Sequence, residues 1–109
     1  MSNFKDREKA HEKKFVMDAE LQFKTDARRN KLLAIWVAEL MGKTGKEVDE
    51  YVVEVIVSDL EEEGDDDVFR KVKQDLISVG AELSDADLRS RMDVLMTEAV
   101  SQIKAEAEA

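Results

Sequence analysis

Apolar residues recur at helical spacing through the first third of the chain. They fall at Phe15, Ala19, Phe23, Ala27, Leu33, Trp36, Val37 and Leu40. Four-residue steps place side chains along one face of an α-helix, so we predict a helix from about Phe15 to Met41. From Leu32 to Met41 almost every position is apolar, which predicts that this half is the centre of the core. Gly42 then suits a left-handed helix end.

A second helix is predicted from Lys46 to about Glu62. Thr44 followed by Glu47 matches a capping box, with Thr44 as the N-cap. The apolar stripe consists of Val48, Val52, Val55, Ile56 and Leu60. The stretch from Tyr51 to Val57 is rich in β-branched residues and is also compatible with a strand. We favour a helix, because a single short strand has no partner elsewhere in the chain.

Two further helices complete the pattern. One covers about Asp66 to Val79, after the glycine Gly64, and directs Phe69, Val72, Leu76 and Val79 inward. The other begins at a capped turn around Ser84 and carries Leu88, Met92, Leu95, Ala99 and Ile103 on one face. We therefore predict an all-α, four-helix bundle with short connections. Its predicted limits are residues 15–104, followed by a frayed tail at 105–109.

Residues 1–14 differ from the rest in composition. Eight of the fourteen are charged, and the apolar ones are Met1, Phe4 and Ala10. Such a segment buries too little apolar surface to offset the entropy of ordering, which predicts a mobile arm. Opposite charges three residues apart give it helical potential, and a helix would align Phe4, His11 and Phe15. The alternative is a frayed continuation of the first helix.

Composition and charge narrow the function further. The 109 residues fit one domain and contain no cysteine, which excludes disulfides and cysteine-ligated metal. The net charge is −9: residues 1–31 are net +3 and the remainder is net −12. An acidic body disfavours nucleic-acid binding. No apolar run is long enough to span a bilayer and the N-terminus is charged, so we expect a cytoplasmic protein without direct membrane insertion.

Catalytic chemistry is thinly represented. His11 is the single histidine and lies in the arm. Gly42-Lys43-Thr44 matches only the end of a phosphate loop, because Val37 occupies the position of its first glycine. The acidic run from Glu61 to Asp67 lacks the ligand spacing of a calcium loop. Trp36, Met41, Met92 and Met96 lie at core spacing. We predict no enzyme activity, no cofactor and no metal site.

Several strings identify a family by resemblance. They are Phe4-Lys5-Asp6-Arg7-Glu8-Lys9-Ala10, Lys14-Phe15, Phe23-Lys24, Ala27-Arg28-Arg29-Asn30-Lys31-Leu32-Leu33, Trp36-Val37-Ala38-Glu39-Leu40, Gly64-Asp65 and Asp67-Val68-Phe69-Arg70-Lys71-Val72. The chain resembles the zeta-subunit family of the alphaproteobacterial F-type ATP synthase over about residues 3–103. The resemblance implies a four-helix protein that binds the catalytic head and blocks ATP hydrolysis.

The resemblance also implies which residues act and on what. The inhibitory segment would insert as a helix at an alpha/beta catalytic interface, close to the gamma subunit. The partner-binding positions are Phe4, Asp6, Arg7, Glu8, Lys9, Ala10, His11, Glu12, Lys14 and Phe15. The protein would then be peripheral to the inner membrane through the synthase. His11 departs from an aromatic residue in the family pattern, which leaves open a weaker or a pH-sensitive arm.

Two alternatives remain at this point. One is a synthase-associated or assembly subunit that binds without inhibiting. The other is a small regulator that senses nucleotides, for which weak adenine nucleotide binding is the expected property. The sequence contains no complete phosphate-binding motif, so the second alternative ranks lower.

Overall fold

The computed structural model describes residues 17–60 and 64–108. Over these residues the chain forms four α-helices: α1 Ala19–Leu40, α2 Lys46–Ser58, α3 Asp66–Ser78 and α4 Asp85–Glu108. The predicted all-α, four-helix architecture is confirmed. The β-branched stretch from Tyr51 to Val57 is helical, because its buried residues Tyr51 and Val55 lie one turn apart and face the other helices. The predicted arm, residues 1–14, lies outside the described residues.

The helix α1 is central, since it packs against each of the other three. Its second half supplies four fully buried residues, Leu33, Ala34, Val37 and Ala38. The predicted inward face of α4 is buried at every position. Side chains of α1 and α4 therefore form the centre of the core.

None of the helices within the described part of the chain is long and apolar enough to cross a membrane.

Several predicted inward positions are wrong. Phe23 is 65% exposed and Leu60 is 71% exposed, while Leu40 and Val79 are each about half exposed. The helix α2 ends at Ser58, one turn before the predicted end at Glu62, and Asp59 and Leu60 form a turn. Leu60, the last residue of the predicted apolar stripe, therefore lies beyond the end of α2 and is exposed. Phe23 and Leu60 lie together on the surface as a result.

The helix ends also differ from expectation in detail. The N-cap of α2 is Gly45, with a positive φ of 58°, and not Thr44. Only half of the capping box forms, because the Thr44 backbone N–H lies 3.5 Å from the Glu47 carboxylate while no side chain caps the helix. The helix α4 continues to Glu108. The Arg28 guanidinium lies 2.8 Å from Glu106 and holds the end of α4 against α1, where fraying was predicted.

The start of α4 is capped as the sequence predicts. The Ser84 hydroxyl accepts from the Asp87 backbone N–H at 3.0 Å. We expect Ser84→Ala to lower the free energy of unfolding by about 1 kcal/mol, because an amide of the first turn loses its partner. Urea unfolding would measure the loss. Ser78→Ala is the control, since the Ser78 hydroxyl donates to a carbonyl within its own helix. An equal loss in both variants would contradict the capping role.

Candidate functional site

The ten predicted partner-binding residues, Phe4 to Phe15, lie outside the described residues. The structure shows where their segment joins the bundle. The Asp18 carboxylate accepts from the Leu21 backbone N–H at 2.9 Å and caps α1. Residues 15–18 separate the predicted arm, residues 1–14, from the first residue of the central helix.

The side chain of Met17 contacts α1 at this junction. The sulfur of Met17 lies 3.7 Å from the Thr25 hydroxyl, although Thr25 is in the second turn of α1. Thr25 is itself fully buried, and its hydroxyl also donates to the Leu21 carbonyl at 2.7 Å. The Met17 side chain therefore lies against the buried side of α1 at Thr25.

An apolar groove opens beside this junction, between the first half of α1 and the end of α2. We name it the α1–α2 groove. Its apolar lining comprises Phe23, Ala27, Ile56 and Leu60, and its volume is about 530 Å³. Asp26, Asn30, Asp59 and Gly64 complete its lining. Two large exposed apolar side chains next to a concave acidic surface are typical of a binding surface.

A buried polar cluster forms the floor of this region. Arg29 is 4% exposed and Asn30 is 1% exposed. The Arg29 Nε–H donates to the Asn30 side-chain oxygen at 2.7 Å, and the Asn30 amide donates to the Asp59 carboxylate at 2.9 Å. The buried Asn30 side chain therefore accepts one hydrogen bond at its oxygen and donates another from its nitrogen. The two bonds also fix the turn after α2 against α1.

The same cluster extends to α3 and α4. The Asp65 carboxylate lies 3.6 Å from Arg29 and 2.9 Å from Arg89. Arg89 also pairs with Asp66 at 2.7 Å and stacks over the Phe69 ring at 4.2 Å. Asp65 occupies the N-cap position of α3, but its side chain makes no cap hydrogen bond and pairs with the arginines instead. Sequence reasoning missed this cluster. The available signal was the Arg28-Arg29-Asn30 triplet on the helix predicted to be central.

The ionised carboxylate of Asp59 is destabilised by its surroundings in this cluster. Burial raises the pKa of its carboxyl above the usual range, the hydrogen bond from Asn30 opposes that rise, and the nearby charge of Asp67 adds to it. The ionised form is therefore less favourable in the folded chain than in the unfolded chain.

We expect Asp59→Asn to stabilise the protein at neutral pH. Because the pKa of Asp59 is higher in the folded chain than in the unfolded chain, its contribution to stability is fully present below the unfolded pKa of about 4. That contribution is lost as the pH rises through the pKa of Asp59 in the folded chain. Asparagine does not ionise and still accepts from Asn30. Urea midpoints at pH 7 and near pH 4 would test this, with the gain confined to pH 7. Asp93→Asn, at an exposed position on α4, controls for the general relief of negative charge. A lower midpoint than that control at pH 7 would contradict the prediction.

The motifs considered for nucleotide or metal chemistry have structural roles here. Gly42 ends α1 with φ +80°, and the Lys43 ammonium lies 5.8 Å from the centre of the Tyr51 ring. Asp65 and Asp66 of the acidic run pair with Arg89. Among residues 17–60 and 64–108, no group of three or more histidine and acidic side chains is arranged to hold a metal ion.

A family model described as ATPase inhibitor subunit zeta matches residues 1–102. The chain belongs to this family. The predicted resemblance to the zeta-subunit family is thereby confirmed. Membership of an inhibitor-subunit family supports an inhibitory regulatory role, implies association with the ATP synthase, and implies a non-enzymatic function.

A solved structure is also similar. It is a solution NMR structure with a TM-score of 0.69 and 44% sequence identity, and the match covers 79% of this chain and 98% of the other. A search of curated proteins found no match. For this zeta-family chain, the solved structure supports the fold described above, and the match to the family model includes the predicted arm.

Proposed function

We propose that this protein binds the catalytic head of the F-type ATP synthase and inhibits ATP hydrolysis through its N-terminal segment. The segment inserts as a helix at an alpha/beta catalytic interface, near the gamma subunit. The observation that carries this proposal is the family match over residues 1–102, because it spans both the arm and the bundle. The residues proposed to make the contact are the ten predicted from Phe4 to Phe15.

The proposed mechanism is steric. A helix wedged in the interface stops the catalytic cleft from completing its closure. Phe4 and Phe15 supply apolar anchors, while Arg7, Lys9 and Lys14 pair with acidic groups at the cleft. In this mechanism the arm inhibits and the bundle tethers it. The short connection through Asp18 supports these roles, because the bundle keeps the arm near its target and raises its effective concentration.

The proposal also assigns partners and location. The partners are the alpha, beta and gamma subunits of the head, with no nucleic acid and no cofactor required. The protein acts in the cytoplasm, peripheral to the inner membrane through the synthase. The net charge of −12 over residues 32–109 supports a body that does not itself bind nucleic acid.

The deciding experiment is ATP hydrolysis by purified alphaproteobacterial synthase head with this protein titrated in. We expect a dose-dependent loss of hydrolysis that saturates. Sedimentation of the mixture gives the second measurement. Co-sedimentation without loss of hydrolysis would overturn inhibition and establish a non-inhibitory subunit. Absence of both would overturn the partner assignment as well.

A further inference from the structure

The described residues leave the α1–α2 groove uncovered. Phe23 and Leu60, two large apolar residues that line it, expose more than half of their surface. The proposed inhibition uses only the arm, so it assigns no partner to this groove. We infer that the groove is a second contact with the synthase head, and that it receives an apolar side chain of the alpha or beta subunit flanked by a lysine or arginine. The inference rests on the proposed function, because the inserted arm determines which surface the bundle meets.

The position of the groove brings it close to the head. Phe15 is the last residue proposed to contact the interface, and α1 begins four residues later at Ala19. Four residues span at most about 14 Å. Phe23 follows after about 6 Å of helix, whereas Leu40 at the other end of α1 lies about 25 Å beyond Phe23. The groove is therefore at the end of the bundle that an inserted arm holds against the head.

Other sides of α1 near this end are occupied within the bundle. Thr25 is fully buried and Arg29 is 4% exposed. The Arg28 guanidinium lies 2.8 Å from Glu106 of α4. The large apolar side chain that this half of α1 exposes is Phe23. The side of α1 that carries Phe23 is therefore the one available to a partner.

The charge of the groove specifies the partner. Asp26 and Asp59 line the groove, and the described residues that complete its lining are uncharged. Burial raises the pKa of the Asp59 carboxyl, and the charges of Asp67 and Asp26 add to this rise, while Asn30 and Arg29 oppose it. A lysine or arginine of the head would favour the ionised form of Asp59. A carboxylate that is disfavoured in the free chain and lies in a groove is typical of a functional site.

A contact in the groove adds to the affinity of the arm, because both belong to one chain. With a connection this short, the groove meets the head at an effective concentration of about 1 mM. A weak groove contact with a dissociation constant of about 0.1 mM would then tighten the complex about tenfold. Only the arm enters the catalytic interface, so the groove changes the concentration needed for inhibition and not the maximal inhibition.

Photo-cross-linking of the full chain to the purified head tests where the bundle lies. Benzoylphenylalanine, an aromatic photoreactive residue, replaces Phe23 in one sample and Val94 in another. Val94 is an exposed residue of α4 that lies with Trp36, about 20 Å along α1 from Phe23. We expect a product with the alpha or beta subunit from position 23 and none from position 94. Equal yields from both positions would overturn the inference.

The unmodified chain separates failure of this inference from failure of the proposed function. If it co-sediments with the head and inhibits hydrolysis while position 23 gives no product, the groove contact is refuted and the proposed function stands. If it does not bind the head, both are refuted.

Point variants show whether the contact contributes to binding. Phe23→Gln is expected to raise the concentration for half-maximal inhibition about tenfold and to leave maximal inhibition unchanged. Val94→Gln, which removes a similarly exposed apolar side chain, should have no effect. Equal potency of the Phe23→Gln variant and the unmodified chain would show that the groove does not bind the head.

Asp59→Asn separates binding from stability. We expect this variant to be more stable at pH 7 and yet to bind the head about fivefold more weakly, because a partly exposed ion pair with the head is lost. Weaker binding by a more stable chain cannot result from unfolding. Asp93→Asn, at an exposed position on α4, controls for the change in net charge. Binding by Asp59→Asn as tight as by this control would contradict the lysine or arginine assigned to the partner.

Discussion

Removal of residues 1–14 is expected to abolish inhibition of ATP hydrolysis while leaving the bundle folded. The described helices begin at Ala19, and the buried residues in the described part of the chain run from Thr25 to Ile103, so the deletion removes none of these. Hydrolysis by the synthase head would be compared for the full and shortened chains, with urea unfolding of each. Full inhibition by the shortened chain would contradict the proposed role of the arm.

Point variants test the same prediction without changing the length. Phe4→Ala is expected to weaken inhibition by about 30-fold, which is the usual minimum for an aromatic anchor at the centre of an interface. Val94→Ala is the matched control, because Val94 is an exposed apolar residue of α4. Comparable weakening by both variants would show that apolar surface in general, and not the arm, binds the head.

The second large effect concerns stability. Arg29→Ala is expected to lower the free energy of unfolding by about 2 kcal/mol, the cost of leaving a buried acceptor without its donor. The side chain is 4% exposed, donates to Asn30 and lies 3.6 Å from Asp65, so its loss leaves a buried amide oxygen without its donor. Domains of this size have about 5–15 kcal/mol of stability in total. The variant should therefore unfold at a much lower urea concentration.

The neighbouring arginine provides the control. Arg28 pairs with Glu106 at 2.8 Å and with Gln102 at 2.7 Å, but Glu106 is largely exposed to solvent. Exposed pairs contribute about 0–1 kcal/mol, so Arg28→Ala is expected to cost little. If both variants lose the same stability, the buried cluster does not stabilise the junction of α1 with the turn after α2.

The hydrophobic pattern was sufficient to predict four helices and all five inward positions of α4. It failed at the first half of α1. The buried face at Leu33 and Val37 continues backward to Arg29 and Thr25, which are polar and therefore absent from any hydrophobic pattern. The hydrophobic pattern places Phe23 inward because it is apolar, but its side chain is exposed. The helical period extended back from Val37 would have indicated Arg29 instead.

The predicted site residues came from a different kind of information. The charge and low apolar content of residues 1–14 predicted an arm, and the resemblance supplied its role. The α1–α2 groove was not predicted, because it depends on where α2 ends. At that end the Asn30 side-chain amide donates to the carboxylate of Asp59, and the two residues are 29 apart in the sequence. Such long-range polar pairs are invisible to local propensity.

The position of the junction at Met17 and Asp18 determines how the protein bears force. The predicted arm precedes α1 in the sequence, and α1 contacts all three other helices. If the arm is wedged in the synthase head as proposed, a pull on it loads the most extensively packed helix in the bundle. Detaching it requires three sets of interhelical contacts to yield together, whereas an outer helix could be peeled away turn by turn. The order of the elements along the chain thus makes the bundle a mechanical anchor, with a lifetime governed by its unfolding rate.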